Sequence, residues 1–231
     1  HLLIQLWRDL FNNGSTKGRA VFIMAIVTTS QYSKKEEFYN ALTHGIGAFL
    51  AIPGLILLLN KSTSLTATVS YTIFGIAMFI LYLSSTLYHS VPVGKSFLKK
   101  MDHCSIFLLI AGTYTPIALI AIGGTTGWVI VGIEWGLAFI GIILKQFFVY
   151  RFKMASILVY IGMGWVVIFV YQPVYAYIGA AGFFTLLAGG IAYTAGTYFY
   201  KNDKIPYNHA IWHLFVLAGS IGMYACVYFY L

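Results

Sequence analysis

Charge is scarce in this chain. Only 9% of its residues are Asp, Glu, Lys or Arg, against about 25% in a soluble globular domain. With 60% hydrophobic residues and a mean hydropathy of +0.82, that scarcity excludes a water-soluble fold. The chain is an integral membrane protein whose core is the inside of a bundle. Cysteine is nearly absent. Cys104 and Cys226 both lie in apolar runs and no CxxC occurs, which excludes a disulfide framework and leaves buried thiols. The alternating pattern of a membrane barrel is missing too, so helices are the spanning element. No cleavable signal peptide is visible, and the membrane segments themselves direct insertion. The net charge of +8 does not describe a nucleic-acid binder, because the basic residues form no single patch. They fall in short clusters between apolar runs, where membrane topology accounts for them.

What is present is a rhythm. Seven apolar runs cover about 38–59, 66–89, 103–122, 126–146, 154–172, 175–199 and 208–230, each near the roughly 20 residues that a helical crossing needs. The spacing predicts an all-α polytopic bundle of seven transmembrane helices over residues 34–231. Short connections make sequential helices antiparallel neighbours. Pro53 and Pro116 fall inside the first and third runs and are expected to kink them. Gly132 and Gly136 form a GxxxG in the fourth, a weak pointer to a close helix contact. Residues 1–33 stand apart as a tail. Residues 2–11 look amphipathic, 12–17 are polar, and 20–27 are apolar but too short to span. Two readings apply: a non-native leader ahead of a native start at Met24, or a helix lying in the membrane interface.

Lysine and arginine set the orientation. Thirteen of the fourteen fall on one side, in the N-terminal tail and the loops after the second, fourth and sixth runs; Lys61 alone falls on the other. Positive residues stay inside, so the N-terminus is expected in the cytoplasm and the C-terminus outside. Residues 1–23 carry three of these charges, and the asymmetry survives without them.

This topology brings unusual polar residues to one depth. The second run ends on Ser85 and His89, which share a face near the cytoplasmic edge. Asp102 lies at the mouth of the third run, and the seventh opens with His209 and His213, one turn apart. The first run begins on the same side and carries His44. Three neutral imidazoles suit Zn²⁺, and three protein ligands plus water is the pattern of a catalytic zinc site. Asp102 is the one acid inside the apolar region close to this layer, placed to accept a proton from that water or to orient it. Ser85 is within reach of Asp102, the water or a substrate carbonyl.

A plainer reading competes with this one. Membrane histidines commonly serve as hydrogen-bonding residues between helices, and His44 is expected to do so. His103 follows Asp102 and points about 100° away from it along the helix, which suits a structural or interfacial role. Glu134, mid-way along the fourth run, is too far from the histidine layer to join it. It is expected to line a cavity or substrate path, or to pair with a polar group such as Tyr or Asn.

Ser85-Thr86-Leu87-Tyr88-His89, Asp102-His103, the stretch from Ile110 through Gly112-Thr113-Tyr114-Thr115 to Pro116, and His209-x3-His213 together resemble the hemolysin III family. That family is the bacterial branch of the progestin and adipoQ receptors, which include the adiponectin receptors, and it belongs with the alkaline ceramidases in a superfamily of membrane hydrolases. Glu37-x2-Asn40-x3-His44-Gly45, and Trp135-Gly136-Leu137-Ala138 with Gly141 and Lys145, also fit its pattern. The resemblance covers about residues 34–231. It implies a seven-helix bundle with zinc near the cytoplasmic face and His89, His209 and His213 as ligands. Asp102 would hold the zinc-bound water, with Ser85 behind the ligands. The leading functional expectation is zinc-dependent hydrolysis of a lipid amide or ester in the cell membrane, with membrane lipids as partners and no nucleic acid. Two alternatives stand beside it. One is a non-enzymatic sensor of membrane state with a structural zinc. The other is a pore-forming cytolysin, although seven spans and an inside-positive bias describe a resident membrane protein rather than a secreted toxin.

Overall fold

The computed structural model describes residues 32–149 and 151–231; the expectations for residues 1–31 fall outside it. Among the described residues the fold is nearly all helix. The elements are α1 (Lys34–Lys61), α2 (Leu65–Ser90), α3 (Lys95–Pro116) continued by a π-helical turn (Ile117–Ile122), α4 (Gly124–Phe148), α5 (Lys153–Gly164), a 3₁₀ turn (Val166–Val170), α6 (Tyr171–Lys201) and α7 (Asn208–Tyr230).

The helix ends follow from local chemistry. Ser33 and Glu36 close a capping box at the start of α1, satisfying backbone N–H groups that a helix start leaves open. Ser64 caps α2 through Ala67 N, 3.1 Å away. Pro116 lacks the N–H that a continuing α-helix needs, and α3 passes there into the wider π turn. At the other end, α3 begins at Lys95, eight residues before the start of the apolar run at 103. Lys99, Lys100 and Asp102 are therefore helical rather than loop or mouth residues. Hydropathy marks the part of a helix that meets lipid, not the charged turns that continue it into the interface.

Consecutive helices α1 to α4 pack antiparallel. Ser84 Oγ donates to Ser105 Oγ at 3.0 Å between α2 and α3. Trp135 Nε1 donates to Thr115 Oγ1 at 3.1 Å between α4 and α3. α7 returns alongside α1 in the same direction. Asn40 O meets His213 near one end, Gly54 O meets Tyr224 OH midway at 3.0 Å, and Lys61 Nζ donates to Tyr228 O near the other end. In lipid such contacts, with close packing, hold helices together without a hydrophobic driving force between them. The outer faces carry exposed apolar side chains such as Phe49, Leu65, Trp128, Phe139, Phe169 and Phe229, as a lipid-facing surface requires.

Among the described residues six helical stretches are long and apolar enough to cross a membrane, where the sequence pattern predicts seven. The difference lies in Lys153–Lys201, 49 residues counted as one. This stretch is not straight. Lys153 Nζ lies 3.9 Å from Asp203 Oδ1, and Trp165 Nε1 donates to Thr194 Oγ1 at 3.0 Å, so its two ends lie side by side. The chain breaks twice: at the 3₁₀ turn, and at Gly179 with φ 66° and ψ −179°, a conformation essentially restricted to glycine. At the first break Tyr114 OH donates to Gly164 O at 2.9 Å and accepts from Val167 N at 2.8 Å, so the freed backbone groups stay bonded. Beyond Gly179, α6 lies against α7. A Cβ on Gly222 would come within 2.9 Å of Gly189 Cα, so the two backbones pass close together here. Gly132 and Gly136 have nothing within 4 Å of such a Cβ. The GxxxG expected to make a close contact makes none among the described residues, because that face of α4 is turned away from its neighbours.

Candidate metal centre

The centre is built from three helix ends. α7 starts after Tyr207, held at φ 56°, and places His209 and His213 in its first two turns. His89 is in the last turn of α2, and α1 lays its first turns across both. Lys95, opening α3, donates to Tyr88 O and lies 3.5 Å from His89 O. It thereby satisfies carbonyls that the end of α2 leaves open and fixes the height of His89.

His89, His209 and His213 are all buried, and one ligand nitrogen from each lies within 4.8 Å of the others. The Nε2 atoms of His89 and His209 are 3.2 Å apart. Two imidazoles on one tetrahedral zinc, with Zn–N near 2.0–2.1 Å, hold their nitrogens about 3.3 Å apart, so this pair already has the spacing an ion requires. The other ring nitrogens are occupied. His89 Nδ1 is bonded to Glu37 Oε2. His213 Nδ1 donates to Asn40 O at 3.0 Å and lies 3.1 Å from Thr43 Oγ1. An oxygen on Nδ1 fixes the tautomer that presents Nε2 as a lone pair and raises its basicity, the usual support of a metal-bound histidine. His209 Nδ1 has no partner among the described residues. Its ring stacks on Tyr32, with centroids 5.0 Å apart, and burial pushes the Tyr32 phenol above its ordinary range, which keeps it neutral there. Three clustered imidazoles with no fourth protein ligand among the described residues fit zinc with a position left open.

Three of these supporting residues, Glu37, Asn40 and Thr43, were not assigned a role from sequence. The signal was present: Glu37, Asn40 and His44 are spaced i, i+3 and i+7, one face of α1. What the spacing does not reveal is that this face meets α2 and α7.

The remaining site candidates separate. Asp102 lines a cavity of about 600 Å³ together with His44, His209 and His213. His103 does not point away from it. Its Nδ1 is 3.1 Å from Asp102 Oδ2, because rotation about the side-chain bonds offsets the 100° between adjacent helix positions. Ser85 is buried and its Oγ has no hydrogen-bond partner among the described residues, so it makes no bond to Asp102. His44 makes no interhelical hydrogen bond either. Both its nitrogens are unpartnered among the described residues, and its ring stacks flat on His213 at 3.5 Å and 11°. It packs against the back of a candidate ligand. Glu134 is fully buried in α4, and neither carboxyl oxygen has a partner among the described residues, so the expected Tyr or Asn pairing is not made. Cys104 and Cys226 are buried free thiols.

Besides Asp102 and the histidines the cavity is lined by the lysines Lys99, Lys145 and Lys153 and by several hydroxyl side chains, and much of its remaining wall is apolar, with residues such as Leu109, Ile117, Val167 and Leu186. Its volume lies within the about 300–1,000 Å³ typical of ligand pockets. One end therefore carries a carboxylate and metal-competent imidazoles, and the rest suits an alkyl chain.

The chain is similar to known proteins along most of its length. A family model described as "Haemolysin-III related" matches residues 32–224. The chain is 52% identical over 201 residues to "Hemolysin-3" of Bacillus cereus, covering 85% of this chain and 92% of that protein. It is 49% identical over 204 residues to "Hemolysin-3 homolog" of Bacillus subtilis (strain 168), covering 86% and 96%. It is 30% identical over 211 residues to the human "Monocyte to macrophage differentiation factor", covering 85% and 84%. With a family model matched from before α1 into α7, and these identities running along nearly the whole of the bacterial relatives, the chain belongs to the haemolysin III family of multi-pass membrane proteins.

Proposed function

We propose that this protein is a zinc-dependent hydrolase of lipid amides or esters in the cell membrane. The observation that carries the reading is one cavity with Asp102 and two of the three clustered histidines at one end and an apolar wall along the rest. The helices would cross seven times, with the N-terminus and the histidine layer toward the cytoplasm.

His89, His209 and His213 would hold the zinc, with Glu37 and the Asn40 carbonyl keeping the first and last in register. When bound, zinc supplies Lewis-acid polarisation of a carbonyl and lowers the pKa of water to about 7. The chain's own residues do the rest. The apolar wall holds the acyl chain and excludes bulk water. Asp102 takes a proton from the attacking water and returns it to the leaving nitrogen or oxygen as the acyl C–N or C–O bond breaks. The products are a carboxylic acid and an amine or alcohol. His103 Nδ1 lies beside the Asp102 carboxylate, 3.1 Å away. Ser85, buried one turn from His89 with an unused hydroxyl, is free to donate to a substrate oxygen.

Fatty-acid release by purified protein from a panel of ceramide-like, acyl-amide and acyl-ester lipids tests this. Wild type should release fatty acid from at least one class. His209→Ala and Asp102→Asn should each lower the rate at least about 100-fold, the lower range for general acid–base catalysis. No release across the panel, or equal release by His209→Ala, would contradict the proposal.

A further inference from the structure

Lys145 is out of place for a purely topological lysine. It lies in the last turns of α4 with 6% exposure, and it lines the same cavity as His44, His209 and His213. Its hydrogen-bond partner is a neutral hydroxyl, Ser156 Oγ at 2.7 Å. No carboxylate lies within ion-pair distance of it among the described residues. Lys153 differs, with both Asp203 at 3.9 Å and the Tyr200 ring at 4.4 Å. Lys153 lines the cavity too, as does a third cation, Lys99 on α3. A buried charge is costly unless paired, and like charges lining one cavity raise that cost. An anion in the cavity would remove it.

The position is specific. Cys104 Sγ lies 3.9 Å from Ile142 O and 3.5 Å from Gln146 Nε2, so the end of α4 that carries Lys145 is level with the turn of α3 that carries Asp102 and His103. The cation is thus at the polar end of the cavity, across from the histidines and next to the apolar wall.

We propose that Lys145, with Lys99, forms an anion subsite, and that the ligand of this cavity is an acyl lipid with a phosphate or carboxylate on its polar end. As a statement about turnover this names the substrate class of the hydrolase and rests on that reading; as a statement about binding it does not. The acyl chain lies along Leu109, Ile117 and Leu186, and the anionic group lies between the lysines, which places the bonds linking the two beside Asp102.

Binding to purified full-length protein in detergent separates the cases. The probes share a palmitoyl chain: lysophosphatidate, palmitate and neutral monopalmitoylglycerol. At least one anionic probe should bind about 10-fold or more tighter than the neutral one, the scale of one charge-assisted hydrogen bond. Which one does so tells phosphate from carboxylate. Lys145→Met should abolish that preference and Lys145→Arg should keep it. Lys99→Gln, at a less buried position, should reduce it and serves as the second test if Lys145→Met does not fold. His209→Ala should keep the preference even with hydrolysis lost, so failure of the hydrolase reading and failure of this one are told apart. Equal affinity for charged and neutral probes, or a preference unchanged in both Lys145→Met and Lys99→Gln, would overturn the proposal. Displacement of the lipid probes by millimolar inorganic phosphate would also overturn it, assigning the site to a free anion.

Discussion

At the residue scale, the histidine cluster was legible in sequence and its support was not. His209 and His213 share a helix face by spacing alone, and His89 joins them once the helices are taken as alternating in direction. Glu37 contacts His89 across 52 residues of chain. Read locally, it is an acid in the first turn of a helix, where acids are favoured whatever they touch. His103 was misplaced for a related reason: helical position fixes where Cβ points, whereas a side chain with two rotatable bonds can swing back to its neighbour. The Glu37 contact has a measurable consequence. Glu37→Gln keeps the size and removes the charge that holds His89 Nδ1–H. Such supporting partners typically contribute 10–100-fold in metal affinity. Zinc affinity measured by chelator competition should fall by that factor with the fold intact, and unchanged affinity would remove Glu37 from the centre.

At the element scale, the apolar runs located the helices and misjudged two features. α3 starts eight residues early, because its first turns carry charge and leave the lipid. The 49-residue stretch from Lys153 to Lys201 holds two runs that hydropathy separates at 173–174, whereas the backbone breaks at Val166–Val170 and at Gly179. Glycine is common in this chain, and nothing in the sequence singles out Gly179 from the other 22; its φ of 66° in the middle of a helical stretch does. Any side chain there is strained by about 1–3 kcal/mol. Gly179→Ala should therefore lower the melting temperature in detergent by several degrees, at about 2–4 °C per kcal/mol for a chain of this size. No Cβ clash is expected, since nothing lies within 4 Å. An unchanged melting temperature would mean that the break is not held by this residue.

At the scale of the whole molecule, topology organises the centre. Helices alternating in direction bring the start of α1, the end of α2, the start of α3 and the start of α7 to one face, and all the named ligands and their supports lie there. The lysine and arginine distribution is the basis for proposing that this face is cytoplasmic. A reporter fused after Leu231 should be active as alkaline phosphatase, which requires export, and dark as a cytoplasmic fluorescent protein. The opposite pair of signals would invert the bundle and place the histidines outside.

The account depends most on the three histidines holding a metal. Metal content of purified wild-type protein and of His213→Ala, measured by inductively coupled plasma mass spectrometry after dialysis, tests this directly. The account predicts about one equivalent of zinc per wild-type chain, the number a single three-histidine centre holds, and a loss of most of it in His213→Ala. Wild-type protein without stoichiometric metal, or a variant that keeps it, would contradict the centre described here.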